Sequence, residues 1–161
     1  MAEEDKLKQL KKEYTKFEKK YSLPTFEQLN QDFYIEKTAD IQTDYLIREV
    51  RRFMADRFSN YLRFIESVIN PVNVPIFVFS IIKAMTLEDK KRLTEAYKKL
   101  ARIEVDLVEV DIEFAEEKEA EFIKESFEIW QEIKKDVLEF IASVQKNWHN
   151  KVGTNDKGYF G

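Results

Sequence analysis

An all-α helical bundle is the fold this sequence predicts, and three observations predict it. Apolar residues recur at spacings of three and four over long segments, which places them on one stripe of a helix. Helix breakers are scarce: the prolines are Pro24, Pro71 and Pro75, and Gly153, Gly158 and Gly161 all lie at the C-terminal end. Apolar residues make up 43% of the chain and charged residues 36%, enough oily surface for a core and enough charge to keep it in water. At 161 residues the chain has the length of one ordinary domain, so one bundle is expected over residues 1–151, with a flexible tail over 152–161.

The first element is set by Leu7, Leu10, Tyr14, Phe17 and Tyr21, whose 3-4-3-4 spacing predicts a helix over about residues 3–21. Pro24 breaks the pattern. Thr25 with Gln28 three residues on reads as a capping box for a short helix near Phe26 to Gln31. Phe33 to Glu36 is a linker expected to pack. A long helix then begins near Thr38 to Asp40 and ends at Asn70, because Pro71 disfavours helical geometry in the residue before it. Its apolar members, among them Val50, Met54, Phe58 and Ile65, fill about half the circumference. Ile76 to Met85 is almost wholly apolar, with Pro75 suited to a first helical turn, and is expected to be a short buried helix; exposed in a monomer, it would mark an interface.

Thr86 with Asp89 signals another cap and opens the longest uninterrupted segment. Leu93, Ala96, Leu100, Ile103, Leu107, Val110 and Phe114 keep helical spacing, and Trp130 to Trp148 continue it. Ile103 to Leu107 alternates like a strand for a few residues. The absence of Gly, Pro and Asn and the strong helix formers from Ala115 to Glu121 favour helix there. Two versions stay open: one helix of about 60 residues, or two bent near Glu116 to Glu121. The straight version predicts self-association.

The composition excludes much chemistry. There is no cysteine, which removes disulfides, thiolate metal sites and Cys nucleophiles. A di-iron bundle needs Glu-x-x-His on two helices, and His149 is the single histidine. His149 sits near a helix end without a nucleophile elbow, where it meets the helix dipole. Gly153 to Gly158 has the glycine spacing of a phosphate loop but is followed by Tyr159 where that loop needs Lys. No catalytic residue, cofactor, metal or small molecule is therefore indicated. The acidic cluster Glu116, Glu117, Glu119 and Glu121 reads as a solvated face. The N-terminus has no apolar signal region, and no run approaches the roughly 20 apolar residues of a membrane span. A cytoplasmic protein with no membrane contact is expected.

Four features are candidates for interaction. Arg48, Arg51, Arg52 and Arg63 share one polar sector of the long helix, within about 120°. They either pair with the acidic stretch downstream or bind a phosphate backbone or acidic partner. Arg57 projects into the apolar arc, where a guanidinium must be paired, snorkel or line an interface; a buried bridge to Glu104, Asp106, Asp111 or Glu113 is the expected solution. The long C-terminal segment is basic from Lys90 to Arg102 and acidic from Glu104 to Glu121, so either two copies laid antiparallel and crossing near Ile103 match opposite charges in a homodimer, or the segment pairs with the earlier helices of its own chain. Finally, Tyr159 and Phe160 end the tail, where they suit a short linear motif or fold back on the bundle.

The function these features suggest is non-catalytic: an interaction or assembly protein offering helical surfaces and an aromatic tail to a protein partner. Two other readings stay open. One is an accessory RNA- or ribonucleoprotein-binding domain using the arginine face; the other is an enzyme whose cavity periodicity does not reveal.

Overall fold

The first helix, α1 (Glu3–Tyr21), ends where Ser22 turns left-handed at φ 54° and returns its N–H to Glu18. That arrangement belongs to a computed structural model that describes residues 2–151. The described residues form α-helices joined by turns and one 3-10 helix, with no strand among them. Ile103 to Leu107 is helical, as propensity requires.

The capping box at Thr25 is present. The Gln28 N–H donates to the Thr25 hydroxyl at 3.2 Å and the Thr25 N–H to the Gln28 side-chain carbonyl at 2.9 Å, opening α2 (Phe26–Phe33). The expected linker packs as a 3-10 helix over Ile35–Asp40, with Phe33 and Ile35 fully buried. The long helix begins later than the sequence suggested: α3 spans Leu46–Ile69. The 3-10 helix takes the residues up to Asp40, and ahead of α3 the Thr43 hydroxyl accepts from the Tyr45 N–H at 3.0 Å, a local bond outside the helical ladder.

Beyond Pro71, α4 covers Ile76–Ala84. It is helical as expected, but its burial is one-sided: Val78 and Ala84 are covered, whereas Ile76, Phe77 and Phe79 are exposed. Nine residues after a proline turn present only one face to the neighbouring helices, so apolarity on every side leaves part of it bare.

The longest segment is two helices, α5 (Leu87–Glu113) and α6 (Glu116–Lys151). The break falls just before the expected bend, at Phe114, which adopts φ 50°. With the straight version gone, the self-association argument built on it goes too.

Packing divides the chain into two compact units. The first holds residues up to Ser59 together with Arg102–Ile129. Its core joins Leu10, Tyr14, Phe26, Leu29 and Phe33 to Val50, Met54, Phe58, Ile103 and Ile123. Phe33 meets Phe58 edge-on at 5.2 Å, and the Tyr14 hydroxyl donates to the Pro24 carbonyl at 2.6 Å. The second unit holds Asn60–Ala101 and the residues from Trp130 on. Ile65, Val68, Leu93, Leu100, Ile133 and Phe140 are buried there, and Tyr61 stacks on Trp130 at 5.0 Å. Within this unit α5 and α6 run antiparallel, since Lys99 meets Glu132 and Arg92 meets Glu139.

Candidate functional site

The arginines of α3 have separate fates. Arg51, expected on the polar sector, is the largest fully buried side chain among the described residues. Its Nε donates to Glu119 Oε2 at 2.6 Å and its Nη2 to Asp111 Oδ1 at 2.7 Å. Arg48 stands beside it, with Nη1 donating to Glu119 Oε1 at 3.1 Å and Nη2 lying 3.6 Å from Asp111 Oδ1. Arg52 is exposed and pairs with Glu49 on its own helix at 3.1 Å. Arg63 and Arg57 are exposed.

The exposure of Arg57 corrects the expectation that it lies within the buried arc. In the first unit, Leu46, Ile47, Val50, Arg51, Met54, Ala55 and Phe58 are the buried residues of α3. On a helical wheel their sector is rotated by roughly 40° from the apolar arc read off the sequence, toward Arg51 and away from Arg57. Ile47 and Ala55 are buried on either side of Arg51, and Glu119 supplies the carboxylate that lets a guanidinium lie between them, whereas hydropathy counts every arginine as outward.

Glu119 is a second correction. Its cluster was expected to be solvated, yet Glu119 is 2% exposed and serves two guanidiniums. Glu116 accepts hydrogen bonds from Lys20 and Tyr21, while Glu117 and Glu121 face solvent. Burial alone would lower the Arg51 pKa; hydrogen bonds and charge from Glu119 and Asp111 outweigh it and hold the group protonated. The cluster thus has two cations and two carboxylates in mutual contact, so it is neutral as a whole.

Phe114 closes the cluster. The Arg48 guanidinium lies 4.1 Å from the centre of its ring, which also meets Tyr45 edge-on at 5.4 Å. Beneath the ring, Arg48 Nε is buried without a hydrogen-bond partner among the described residues. A groove of about 230 Å³ opens alongside, lined by Phe17, Asp44, Tyr45, Arg48, Phe114 and Glu116. Chemically the arrangement is a clamp: it ties the first turns of α3 to the turn between α5 and α6, with both oxygens of Glu119 engaged and Asp111 engaged through Oδ1 alone, its side chain half exposed.

The second unit carries its own polar lock. Asp89, fully buried, accepts from the Ser143 hydroxyl at 2.6 Å and from the Thr86 N–H at 2.9 Å, and Arg92 lies 3.3 Å away. This is the cap expected at Thr86, with Ser143 added by the fold.

His149 is exposed on α6. Among the described residues no group of three or more His, Cys, Asp or Glu side chains could hold a metal ion, and no helix is long and apolar enough to cross a membrane. Tyr159 and Phe160 lie outside the described residues. Local spacing does not mark Phe114 or Glu119 as partners of Arg48 and Arg51; opposite charge on a distant helix is the one hint. Comparison with protein-family models, curated proteins and solved structures finds no match for this chain.

Proposed function

We propose that this chain is a non-catalytic interaction or assembly protein that offers helical surfaces to a protein partner. The observation that carries the reading is α4, on which Ile76, Phe77 and Phe79 are 66%, 57% and 39% exposed. Fully burying one such side chain is worth about 1.5–3 kcal/mol, so a partner covering three of them gains substantial binding energy. The engagement of Arg48 and Arg51 with carboxylates supports the same choice over RNA binding, because a paired and buried guanidinium is not offered to a phosphate. Under this reading Tyr159 and Phe160 supply a second, separate contact.

The test compares the full-length chain with Phe77→Ser and Phe79→Ser variants in affinity capture with and without nuclease, and in sedimentation velocity. A nuclease-resistant partner, or a second copy, lost from both variants while the helical circular dichroism signal is kept, is the expected result. Nuclease-sensitive recovery abolished by Arg52→Glu and Arg57→Glu would replace the reading with RNA binding. A repeat without residues 152–161 separates the tail from α4.

A further inference from the structure

We infer that the outward face of α5 in the first unit, the stripe Val105, Val108 and Ile112, docks a basic amphipathic helix of a partner protein. The inference rests on the interaction reading above but uses a surface other than α4. The three residues are 65%, 59% and 78% exposed. Their spacings of three and four place them on one stripe of the helix, the pattern of anchors through which a helix recognises another helix.

Charge says what covers it. From Ile103 to Glu117 the chain contains no Lys or Arg, and α5 alone supplies Glu104, Asp106, Glu109, Asp111 and Glu113 there. Glu109 borders the stripe on one side and Asp111 on the other. Their side chains remain 61% and 51% exposed although each also reaches a cation of this chain, Lys118 or Arg51. Arg102, at the N-terminal end of the stripe, is turned onto Asp106 at 3.2 Å. The occupant that fits is therefore a helix with apolar residues at the same spacing and Lys or Arg on both flanks. A second copy paired stripe to stripe would oppose Glu109 and Asp111 to their own equivalents, and like charges facing each other across an interface disfavour that assembly.

The probe is a fluorescent synthetic helical peptide of about 20 residues with Leu at alternating spacings of three and four and Lys and Arg on the flanks. It is titrated with the full-length protein by anisotropy. Binding should exceed that of a scrambled peptide of identical composition by about tenfold or more, and weaken about tenfold in Val108→Ser and Ile112→Ser. Glu109→Gln should flatten its salt dependence. Phe77→Ser should leave peptide binding unchanged, so failure of the α4 reading and failure of this one are distinguishable. Equal binding of the scrambled peptide, or no effect of the stripe variants once circular dichroism shows them folded, overturns the inference. Stripe-dependent self-association in sedimentation velocity overturns it in favour of a second copy.

Discussion

Arg51 and Glu119 form a buried ion pair, Nε to Oε2 at 2.6 Å, with side chains 2% and 3% exposed. Removing one partner leaves the other charge desolvated, which costs about 3–5 kcal/mol, whereas replacing both by apolar residues of similar volume is often neutral or stabilising. Glu119→Ala is therefore expected to lower the stability of the chain by about that amount. Arg51→Met combined with Glu119→Leu should recover part of the loss, because Arg48 still loses its bond to Glu119. Urea denaturation of the two variants checks it; equal losses in the single and the double variant would contradict the pair as the cause.

Arg57 provides the contrast on the same helix. Because it is exposed, Arg57→Ala should change stability by no more than about 0.5 kcal/mol. A loss comparable to that of Glu119→Ala in the same denaturation series would place Arg57 in the interior after all.

Phe114 offers a test of backbone strain against side-chain contact. A non-glycine residue in the left-handed region costs roughly 1–2 kcal/mol, which glycine does not pay. Both Phe114→Ala and Phe114→Gly lose the ring over Arg48. The glycine variant should nonetheless be the more stable of the two by about 1 kcal/mol, the reverse of their order inside a helix. Paired denaturation midpoints decide this.

Asp89 should make the second unit acid-sensitive. Burial alone would raise its pKa, but hydrogen bonds from Ser143 and Thr86 and the charge of Arg92 outweigh it and hold the carboxyl below its ordinary value. A group depressed in the folded state contributes stability that is present above its unfolded pKa, about 4, and is lost as pH falls through the lower folded value. Asp89→Asn should thus cost about 1–3 kcal/mol at neutral pH, with the difference from wild type shrinking below about pH 4. Denaturant midpoints measured at neutral and acidic pH read the difference directly.

The candidate site was legible only in part. Arg48 and Arg51 stand out by their sector, and opposite charge alone points to the acidic stretch downstream as one partner for them. That Glu119 is the shared acceptor was not legible, because its neighbours Glu117 and Glu121 remain in water and all three look alike as letters. Arg57 and Arg51 exchanged their expected environments for a related reason. Periodicity ranks a residue by its own hydropathy, and the free energy of burying a charge depends on the group placed against it.

By itself the sequence determined the helical class, the stop before Pro71, and the caps at Thr25 and Thr86, since these rest on local spacing and on hydrogen bonds three residues apart. Tertiary structure decided the rest. It chose which arginine is internal, because that required a carboxylate from another helix. It turned the chain at Phe114 without glycine, where contacts with Arg48 and Tyr45 offset the strain. It also left Ile76, Phe77 and Phe79 uncovered, because a helix apolar on every side does not specify which side its neighbours reach.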